Sequence, residues 1–530
     1  MDTFSLHAST LFPLGLVFRA TLLTGLVACS HTEPTALDEL ADYRQVETPL
    51  CDPFDGVERF RLDDVLQLPA PTSESDKTST GVALLDDGGS AIAARGWLTE
   101  SAEKTIDIQY FIFSTDHVGL IAADFMLRAA ERGVKVRLIV DDLLVEDDGL
   151  VLQALDKHPN IAIKIYNPNI NIGKSLSQKL VNSARDFRGV NQRMHNKTFI
   201  VDGKVLITGG RNVADEYYDY DRSYSFRDRD ILLIGGAVQE ANRSFESFWS
   251  HELSVALAPM TKTEFSKAEK DVWQELHHYA CDEKHFWKSA RRQIGSFPKL
   301  YQRWQENGEL RWLPEVRFVS DPPIKNAHKG MWGGSITAEE LINLVQNAKH
   351  SVKIQTPYLV TSELGLGLFR DAVKRGVKVE ILTNSLPSTD NLMAFSGYVR
   401  NREALVEAGV HIFEFRPDAA IRKETMTSQV VVETGLYPTF GLHAKTMIVD
   451  HETLIVTTFN LDPRSANLNT ECFVEVVDAE TARKVVGYFD TEIAPENAWR
   501  VDAESNGDDH APLGKRMKLL FYHIIPKSVL

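Results

Sequence analysis

Short apolar runs alternate with amphipathic segments along most of the chain. The run IDIQYFIF at residues 106–113 has the character of a buried strand, and a helical pattern ending in Arg-Gly follows it. A second apolar strand closes the segment AAERGVKVRLIVDD at residues 129–142. Strands that alternate with helices are typical of a sheet covered by helices. The pattern therefore predicts an α/β fold.

The same series of elements occurs twice. VKIQTPYLV at residues 352–360 matches the first strand, and AVKRGVKVEILTNS at residues 372–385 matches the segment that follows it. We therefore expect two similar α/β/α sandwich domains related by a pseudo-twofold axis. We place them at residues 81–255 and 317–530, the second with a C-terminal tail. A helical connecting segment would occupy residues 256–316.

The N-terminal region has a different pattern. An apolar stretch follows Arg19 and ends at Cys29, which is typical of an export signal over residues 1–28. Arg19 interrupts the longest apolar run, so a membrane-spanning helix is not expected. Residues 29–80 are polar, irregular and rich in Ser, Thr and Pro, and this composition predicts a tether or linker.

The residues Leu-Val-Ala-Cys that end at Cys29 resemble a bacterial lipobox. The resemblance implies that the signal is removed before Cys29 and that its thiol carries diacylglycerol. The protein would then be a lipoprotein of the bacterial periplasm, and Ser30 favours the outer membrane. A buried helix with an incidental cysteine is the alternative.

Charge and cysteine content narrow the choice of partners. The chain has 58 basic and 74 acidic residues, a net charge of −16, which opposes general attraction to nucleic acid. Apart from Cys29 it has Cys51, Cys281 and Cys472, an odd number that excludes complete pairing. A bridge between Cys51 and Cys281 stays open, and Cys472, in an apolar strand pattern, is expected to be buried and reduced.

Two copies of the pattern H-x-K-x-x-x-x-D lie 248 residues apart, in MHNKTFIVDG and LHAKTMIVDH. Ten residues after each Asp there is an Asn. Identical spacing of four residue types is strong evidence of duplication. The eight residues are His195, Lys197, Asp202 and Asn212 in the first copy and His443, Lys445, Asp450 and Asn460 in the second.

These residue types suit the chemistry of a phosphodiester. Lysines and asparagines can stabilise negative charge that grows on the phosphoryl oxygens. One histidine can attack phosphorus while the other, protonated, delivers a proton to the leaving oxygen. Asp230 and Glu471 are candidates to orient and charge the two rings. A core histidine would explain either motif alone, but packing does not need a lysine on the same face.

No metal or cofactor is required by this chemistry. His277, Cys281 and His285 do follow each other at i, i+4 and i+8, as zinc ligands on one helix face would. Ordinary helix packing is the stronger interpretation of that spacing. The aromatic and charged run at residues 219–230 either lines the mouth of the site or forms a solvated loop.

The motifs resemble those of the phospholipase D superfamily, and more closely the bacterial cardiolipin synthase C-like branch. MHNKTFIVDGKVLITGGRNVADEYY, FNLDPRSANLNTE and FVSDPPIK carry the resemblance, which covers residues 81–530. It implies a phosphatidyltransferase that makes cardiolipin from phosphatidylglycerol, with phosphatidylethanolamine as the second lipid. It also implies that His195 forms a phosphohistidine and that His443 acts as acid and base.

The sequence departs from the branch in one place. The second Asn is usually preceded by Gly-Ser, whereas Thr457 and Thr458 stand here, and Thr458 keeps a hydroxyl for phosphate contact. Arg211 and Arg464 flank the asparagines and would either bind a second phosphate or form structural ion pairs. The last residues, 517–530, would either touch lipid or dock on the second domain.

Other functions compete with the transferase. Water in place of an alcohol would make the protein a hydrolytic phospholipase D. A phosphodiesterase acting on nucleic acid conflicts with the acidic balance. A lipid-binding lipoprotein without catalysis conflicts with two intact motifs. Phospholipids and a membrane surface are therefore the expected partners.

Overall fold

The computed structural model describes residues 35–45, 61–66, 79–141, 149–168, 192–258, 269–325, 334–426, 435–502 and 506–522. Cys29 and the whole predicted signal peptide lie outside these ranges, so lipidation stays a prediction.

The described strands are β1 (Thr80–Leu85), β2 (Thr105–Tyr110), β3 (Lys135–Asp141), β4 (Ile161–Tyr166), β5 (Thr198–Val201), β6 (Val205–Gly209), β7 (Tyr224–Arg227), β8 (Asp230–Gly235), β9 (Ser254–Ala256), β10 (Arg311–Leu313), β11 (Val316–Ser320), β12 (Ser351–Gln355), β13 (Lys378–Asn384), β14 (His411–Phe415), β15 (Thr439–Leu442), β16 (Thr446–Val449), β17 (Thr453–Thr457), β18 (Cys472–Val477) and β19 (Ala498–Arg500).

The described α-helices are α1 (Ala36–Leu40), α2 (Leu62–Leu66), α3 (Gly88–Ser101), α4 (His117–Glu131), α5 (Leu150–Asp156), α6 (Val238–Ser250), α7 (Glu269–Cys281), α8 (Lys288–Gly295), α9 (Phe297–Glu306), α10 (Ile336–Asn347), α11 (Glu363–Lys374), α12 (Leu392–Glu407), α13 (Arg422–Thr425), α14 (Pro463–Asn467), α15 (Ala479–Glu492) and α16 (Leu513–Tyr522).

The strands form two large mixed sheets of matching topology. The first has the order β10-β1-β8-β6-β5-β2-β3-β4-β9 and the second the order β11-β18-β17-β16-β12-β13-β14-β19. Apart from the edge strand β10, the orders correspond strand for strand. In each sheet the strands β2-β3-β4 or β12-β13-β14 are parallel. The prediction of two similar α/β halves is confirmed.

The halves share a hydrophobic core. Alternation along β5 sends Ile200 into a cluster that also contains Ile448 of β16, while the neighbour Phe199 packs into the core of the first half alone. Met447, the neighbour of Ile448 in β16, packs in the same way into a core that belongs to the second half alone, the outer core of that half. The two motif strands therefore lie back to back across a common core, which fixes the motifs relative to each other.

The connecting segment is helical, as predicted, and α7, α8 and α9 pack on the first half. Ile294 of α8 lies so close to α3 that a Cβ at Gly96 would stand 2.7 Å from its Cδ1. Cys281 at the end of α7 is disulfide-bonded to a cysteine outside the described residues. Cys472 is free and buried, as expected.

Parts of the predicted tether are folded. Leu40 of α1 and Leu62 of α2 are buried in the core of the first half. Among the described helices, none combines the length and the apolar composition needed to cross a bilayer.

Candidate active site

The two motif histidines and lysines are buried where the halves meet. His195 and Lys197 precede β5, and His443 and Lys445 precede β16. None of the four residues is more than 7% exposed. Each ammonium donates a hydrogen bond to the backbone oxygen of its own histidine, at 3.0 Å for Lys197 and 2.7 Å for Lys445. The H-x-K spacing thus sets a cation beside each imidazole.

The first histidine is held by the second half of the chain. The backbone N–H of His195 donates to the oxygen of Thr470 at 3.0 Å. Its Nδ1 lies 2.8 Å from Oε2 of Glu471. The structure therefore places Glu471 where the sequence predicted, beside a catalytic histidine.

The second histidine is held by the first half in the same manner. The backbone N–H of His443 donates to the oxygen of Arg227 at 2.9 Å, and its Nδ1 lies 2.6 Å from Oδ2 of Asp228. Strand β7, which ends at Arg227, pairs in parallel with β15 and delivers these residues across the boundary. Neither half alone can complete a histidine–carboxylate pair.

The prediction that Asp230 orients a histidine is wrong. Asp230 is the first residue of β8, and its carboxylate accepts a hydrogen bond from Arg95 at 2.8 Å. It also lies 3.5 Å from the guanidinium of Arg211. This buried ion-pair cluster secures the strand and does not reach either ring.

The strand register explains the error. Gly209 of β6 pairs with Asp230, and the equivalent residue Thr457 of β17 pairs with Phe473. Asp230 therefore corresponds to Phe473, and the residue two positions earlier, Asp228, corresponds to Glu471. The pairing register of the two sheets, and not the spacing along the chain, identifies Asp228 as the counterpart of Glu471.

Thr458 positions Glu471 and does not present its hydroxyl to the cavity. Its Oγ1 donates to Oε2 of Glu471 at 2.6 Å and accepts from the N–H of Cys472 at 2.9 Å. The equivalent residue in the first half is Gly210, where a Cβ would stand 2.0 Å from Oδ1 of Asp228. The predicted phosphate contact of Thr458 is thus replaced by a contact to the carboxylate.

Asp202 and Asp450 have structural roles, contrary to their predicted place among the catalytic residues. Each follows its motif strand and occupies a hairpin turn with positive φ, 51° for Asp202 and 54° for Asp450. Each carboxylate accepts three backbone N–H bonds from residues at the start of the adjacent antiparallel strand, β2 or β12, at residues 103–105 and 349–351. A strand rises about 3.3 Å per residue, so the turns lie roughly 20 Å from the histidines.

Of the two motif asparagines, Asn212 is linked to a motif histidine through Tyr217. Asn212 donates to the hydroxyl of Tyr217 at 2.9 Å, and Tyr217 stands edge-on to His443 with ring centroids 5.0 Å apart. Phe226 contacts the same ring at 4.7 Å, so the run at residues 219–230 does line the site. Oδ1 of Asn460 has no hydrogen-bond partner within the described chain. Phosphate binding by both asparagines stays a prediction.

Burial and the neighbouring lysines favour the neutral form of both histidine rings. Desolvation lowers the pKa of His195 to about 4, against the opposing effect of Glu471. Desolvation and then Lys445 lower the pKa of His443 to about 3. The neutral ring that attack on phosphorus requires is therefore present at neutral pH.

The lysines are perturbed as well. Desolvation, followed by repulsion from Lys445, lowers the pKa of Lys197 to about 7, and desolvation lowers that of Lys445 to about 8. The repulsion shows that the two motifs share one electrostatic environment. An anionic phosphodiester would offset these cations and raise the pKa of all four groups, which makes a protonated second histidine attainable on binding.

Two residues that support the site were not predicted. Buried Asp321 accepts from the N–H of Glu471 at 3.1 Å and pairs with Lys325 at 2.9 Å. Lys325 in turn donates to the oxygen of Ser465 at 2.6 Å, in helix α14, which follows Asn460. Both belong to FVSDPPIK, a segment that contributes to the family resemblance but for which the sequence predicted no chemical role.

Two weaker predictions are resolved by the structure. Nδ1 of His277 lies 2.5 Å from Asp124, and Cys281 is disulfide-bonded, so the proposed zinc set with His285 is not formed. Arg211 is buried and donates to backbone oxygens of residues 85, 217 and 228, which makes it a structural residue.

The fold and the site define a class of protein. Two topologically equivalent α/β halves that exchange carboxylates onto each other's motif histidines form one phosphodiester site, which is the plan of the phospholipase D fold. A solved phosphatidylserine synthase of Haemophilus influenzae has this fold at a TM-score of 0.57 and 14% identity, over 90% of this chain and all of that one.

The comparisons with sequences name the family. The model described as "Cardiolipin synthase, PLD-like domain" matches residues 98–249 and 341–493. Cardiolipin synthase C of Escherichia coli is 31% identical over 79% of this chain and 86% of its own, and a Helicobacter pylori protein of uncharacterised function is 32% identical over 79% and 80%. The chain belongs to the cardiolipin synthase family of phospholipase D-like proteins and is a phosphatidyltransferase of that type.

Proposed function

We propose that the protein makes cardiolipin by moving a phosphatidyl group between two phospholipids. The acceptor is the glycerol hydroxyl of phosphatidylglycerol, and the donor is a second phosphatidylglycerol or phosphatidylethanolamine. The likeness to the Escherichia coli protein named Cardiolipin synthase C supports cardiolipin as the product. The observation that carries the proposal is the exchanged pair of histidine–carboxylate contacts beside two buried lysines.

The first step forms the phosphatidyl-enzyme. Nδ1 of His195 faces Glu471, so Nε2 carries the lone pair that attacks phosphorus. The bond from phosphorus to the donor headgroup oxygen breaks, and His443, protonated once the anion is bound, gives that oxygen its proton. Lys197 and Lys445 stabilise the charge on the phosphoryl oxygens.

The second step reverses the roles. Neutral His443 removes the proton from the acceptor hydroxyl, whose oxygen attacks phosphorus as the P–N bond to His195 breaks. Asp228 stays ionised throughout: although burial raises its pKa, His443 and Lys445 hold that pKa well below its ordinary value. The carboxylate therefore fixes the ring and stabilises the imidazolium.

Lipid mass spectrometry tests the proposal. The purified chain is incubated with vesicles of phosphatidylglycerol, with and without phosphatidylethanolamine. We expect cardiolipin and released glycerol, with ethanolamine as an added product in the mixed vesicles. Phosphatidic acid as the sole product would make the protein a hydrolase, and an unchanged lipid profile would refute the transferase.

Lipid modification of Cys29 and an outer-membrane location in the periplasm remain part of the proposal. The lipobox-like residues that end at Cys29 support them. Acyl labelling followed by mass spectrometry of the N-terminal peptide should find diacylglycerol on Cys29, and Cys29→Ser should abolish the label. A labelled serine variant, or an unlabelled wild type, would contradict the proposal.

A further inference from the structure

Helix α16 has one buried side and one exposed apolar side. Leu519 is 6% exposed and packs into the outer core of the second half. Four large apolar side chains are instead left in solvent. Their exposed fractions are Leu513 74%, Met517 51%, Leu520 62% and Phe521 68%.

The four residues form one stripe. At about 100° per residue they fall within roughly a third of the helix circumference, on the side away from Leu519. The exposed side chains of Arg516 and Lys518 border the stripe on either side. An exposed apolar stripe of this extent on a soluble surface marks an interaction site.

The charge of the helix is opposite to that of the whole chain. Residues 513–522 read LGKRMKLLFY, with three basic residues and no acidic one, in a chain of net charge −16. An apolar stripe bordered by Lys and Arg is the pattern of helices that lie in the interface of an anionic bilayer. A protein partner would not require this local reversal of charge.

Helix α16 is joined to the active site by consecutive contacts. Lys515 donates to the oxygens of Pro387 and Thr389, at 3.1 and 2.7 Å. The oxygen of Ser388, between them, accepts from the hydroxyl of Tyr224. Tyr224 stands edge-on to Phe226 at 5.1 Å, and Phe226 contacts His443. The helix is therefore linked, through residues 387–389 and Tyr224, to the aromatic side chain that packs on His443.

We propose that α16 is a lipid-docking surface that lies in the interface of a bilayer containing anionic phospholipid. Leu520 and Phe521 enter the acyl boundary while Lys518 meets the phosphates. This orients the active site toward headgroups, beyond what an anchor at Cys29 alone would do. The inference rests on the lipid substrate proposed above, but the binding it predicts is measurable without turnover.

Hydrogen exchange of the full chain tests the docking. We expect amides in residues 513–522 to exchange several-fold more slowly with phosphatidylglycerol vesicles than in buffer, and phosphatidylcholine vesicles to give less protection. Unchanged exchange with anionic vesicles would overturn the proposal. So would protection that appears without lipid as protein concentration rises, because the stripe would then bind a second copy of the chain.

A matched pair of variants tests the consequence for catalysis. Leu520→Glu with Phe521→Glu should lower turnover on vesicles at least about tenfold, because the bilayer no longer gains two large apolar side chains. Leu364→Glu with Leu436→Glu adds the same charge at residues 68% and 74% exposed and should have no effect. Both double variants should keep wild-type turnover on detergent micelles. Equal loss on micelles, or vesicle turnover equal to the control, would overturn the proposal.

Discussion

At the scale of single residues, the decisive feature is which carboxylate meets which histidine. Glu471 of the second half contacts His195 of the first, and Asp228 of the first contacts His443 of the second. Because each carboxylate lies at Nδ1, Nε2 of each ring is the nitrogen left for chemistry in the proposed mechanism. A carboxylate that fixes the tautomer of a catalytic histidine contributes strongly to turnover without touching substrate.

Variants of Asp228 and Asp230 distinguish a residue that positions a histidine ring from a residue that supports the fold. Asp228→Asn should lower kcat by about 100- to 10,000-fold with little change in thermal stability, because the His443 ring loses its charged partner. Asp230→Asn should cost about 3 kcal/mol of stability, because Arg95 loses its buried partner, while turnover per folded molecule persists. Kinetics and thermal unfolding of both variants measure this, and the reverse pattern would restore the original prediction.

The depressed pKa values predict an unusual pH profile. As pH falls through about 4, the pKa of His195, the ring gains a proton and kcat/KM should fall. Above pH 4 kcat/KM should decline because less His443, with a pKa of about 3, is protonated. The decline should steepen as pH rises through about 7, the pKa of Lys197, where the ammonium loses its charge. Bound phosphodiester stabilises the ammonium, so the alkaline limb of kcat should lie at higher pH. An acid limb near 6.5, or kcat/KM rising from pH 7 to 9, would contradict this site.

The residue types of the site could be predicted from the sequence, but several of their contacts could not. His195 and His443 are visible because the motif repeats at fixed spacing. Asp228 could not be predicted from spacing. The segment between Asn212 and Asp228 is longer than the segment between Asn460 and Glu471, so the two halves differ in spacing here. A phosphate contact was predicted for Thr458 because the sequence does not show that its hydroxyl donates a hydrogen bond to Glu471.

At the scale of elements, each motif is a hairpin with a carboxylate at both ends. At one end a carboxylate of the other half contacts the histidine, and at the other end the motif's own aspartate lies in the turn. The histidine precedes the strand, and the aspartate after it accepts three backbone N–H groups from the neighbouring strand start. The H-x-K-x-x-x-x-D spacing therefore places a histidine and a lysine at the site and, at the other end of the strand, an aspartate that anchors the hairpin to the neighbouring strand. The alternation of apolar and polar residues in a strand does not reveal that the two ends of the hairpin have different functions.

Asp202→Ala and Asp450→Ala test the anchoring role. Each should lower stability by about 1–3 kcal/mol, because three N–H donors lose a charged acceptor. Turnover per folded molecule should stay near wild type. Asp63→Ala, which removes only an exposed partner of Lys204 in the same hairpin, serves as the control and should cost less than about 1 kcal/mol. A large loss of kcat without loss of stability would return the aspartates to the catalytic set.

At the scale of the whole molecule, duplication produces one site and not two. The matching strand orders, the shared core and the exchange of carboxylates all require both halves. The duplicated pattern was sufficient to predict two α/β halves. It could not predict that β7 pairs with β15 across the boundary, since that contact joins residues more than 200 positions apart and follows from assembly of the halves.

The most direct test of this account is to trap the covalent intermediate. A phosphatidyl ester of p-nitrophenol has a leaving group that needs no proton, so His443→Ala should still form the intermediate but should be slow to pass it to an alcohol. We expect one equivalent of p-nitrophenol per molecule and, after rapid digestion, a phosphatidyl adduct on His195 by mass spectrometry. His195→Ala should give neither. An adduct on His443 in the His195→Ala variant would reverse the assigned roles, and turnover without any adduct would exclude the phosphohistidine mechanism.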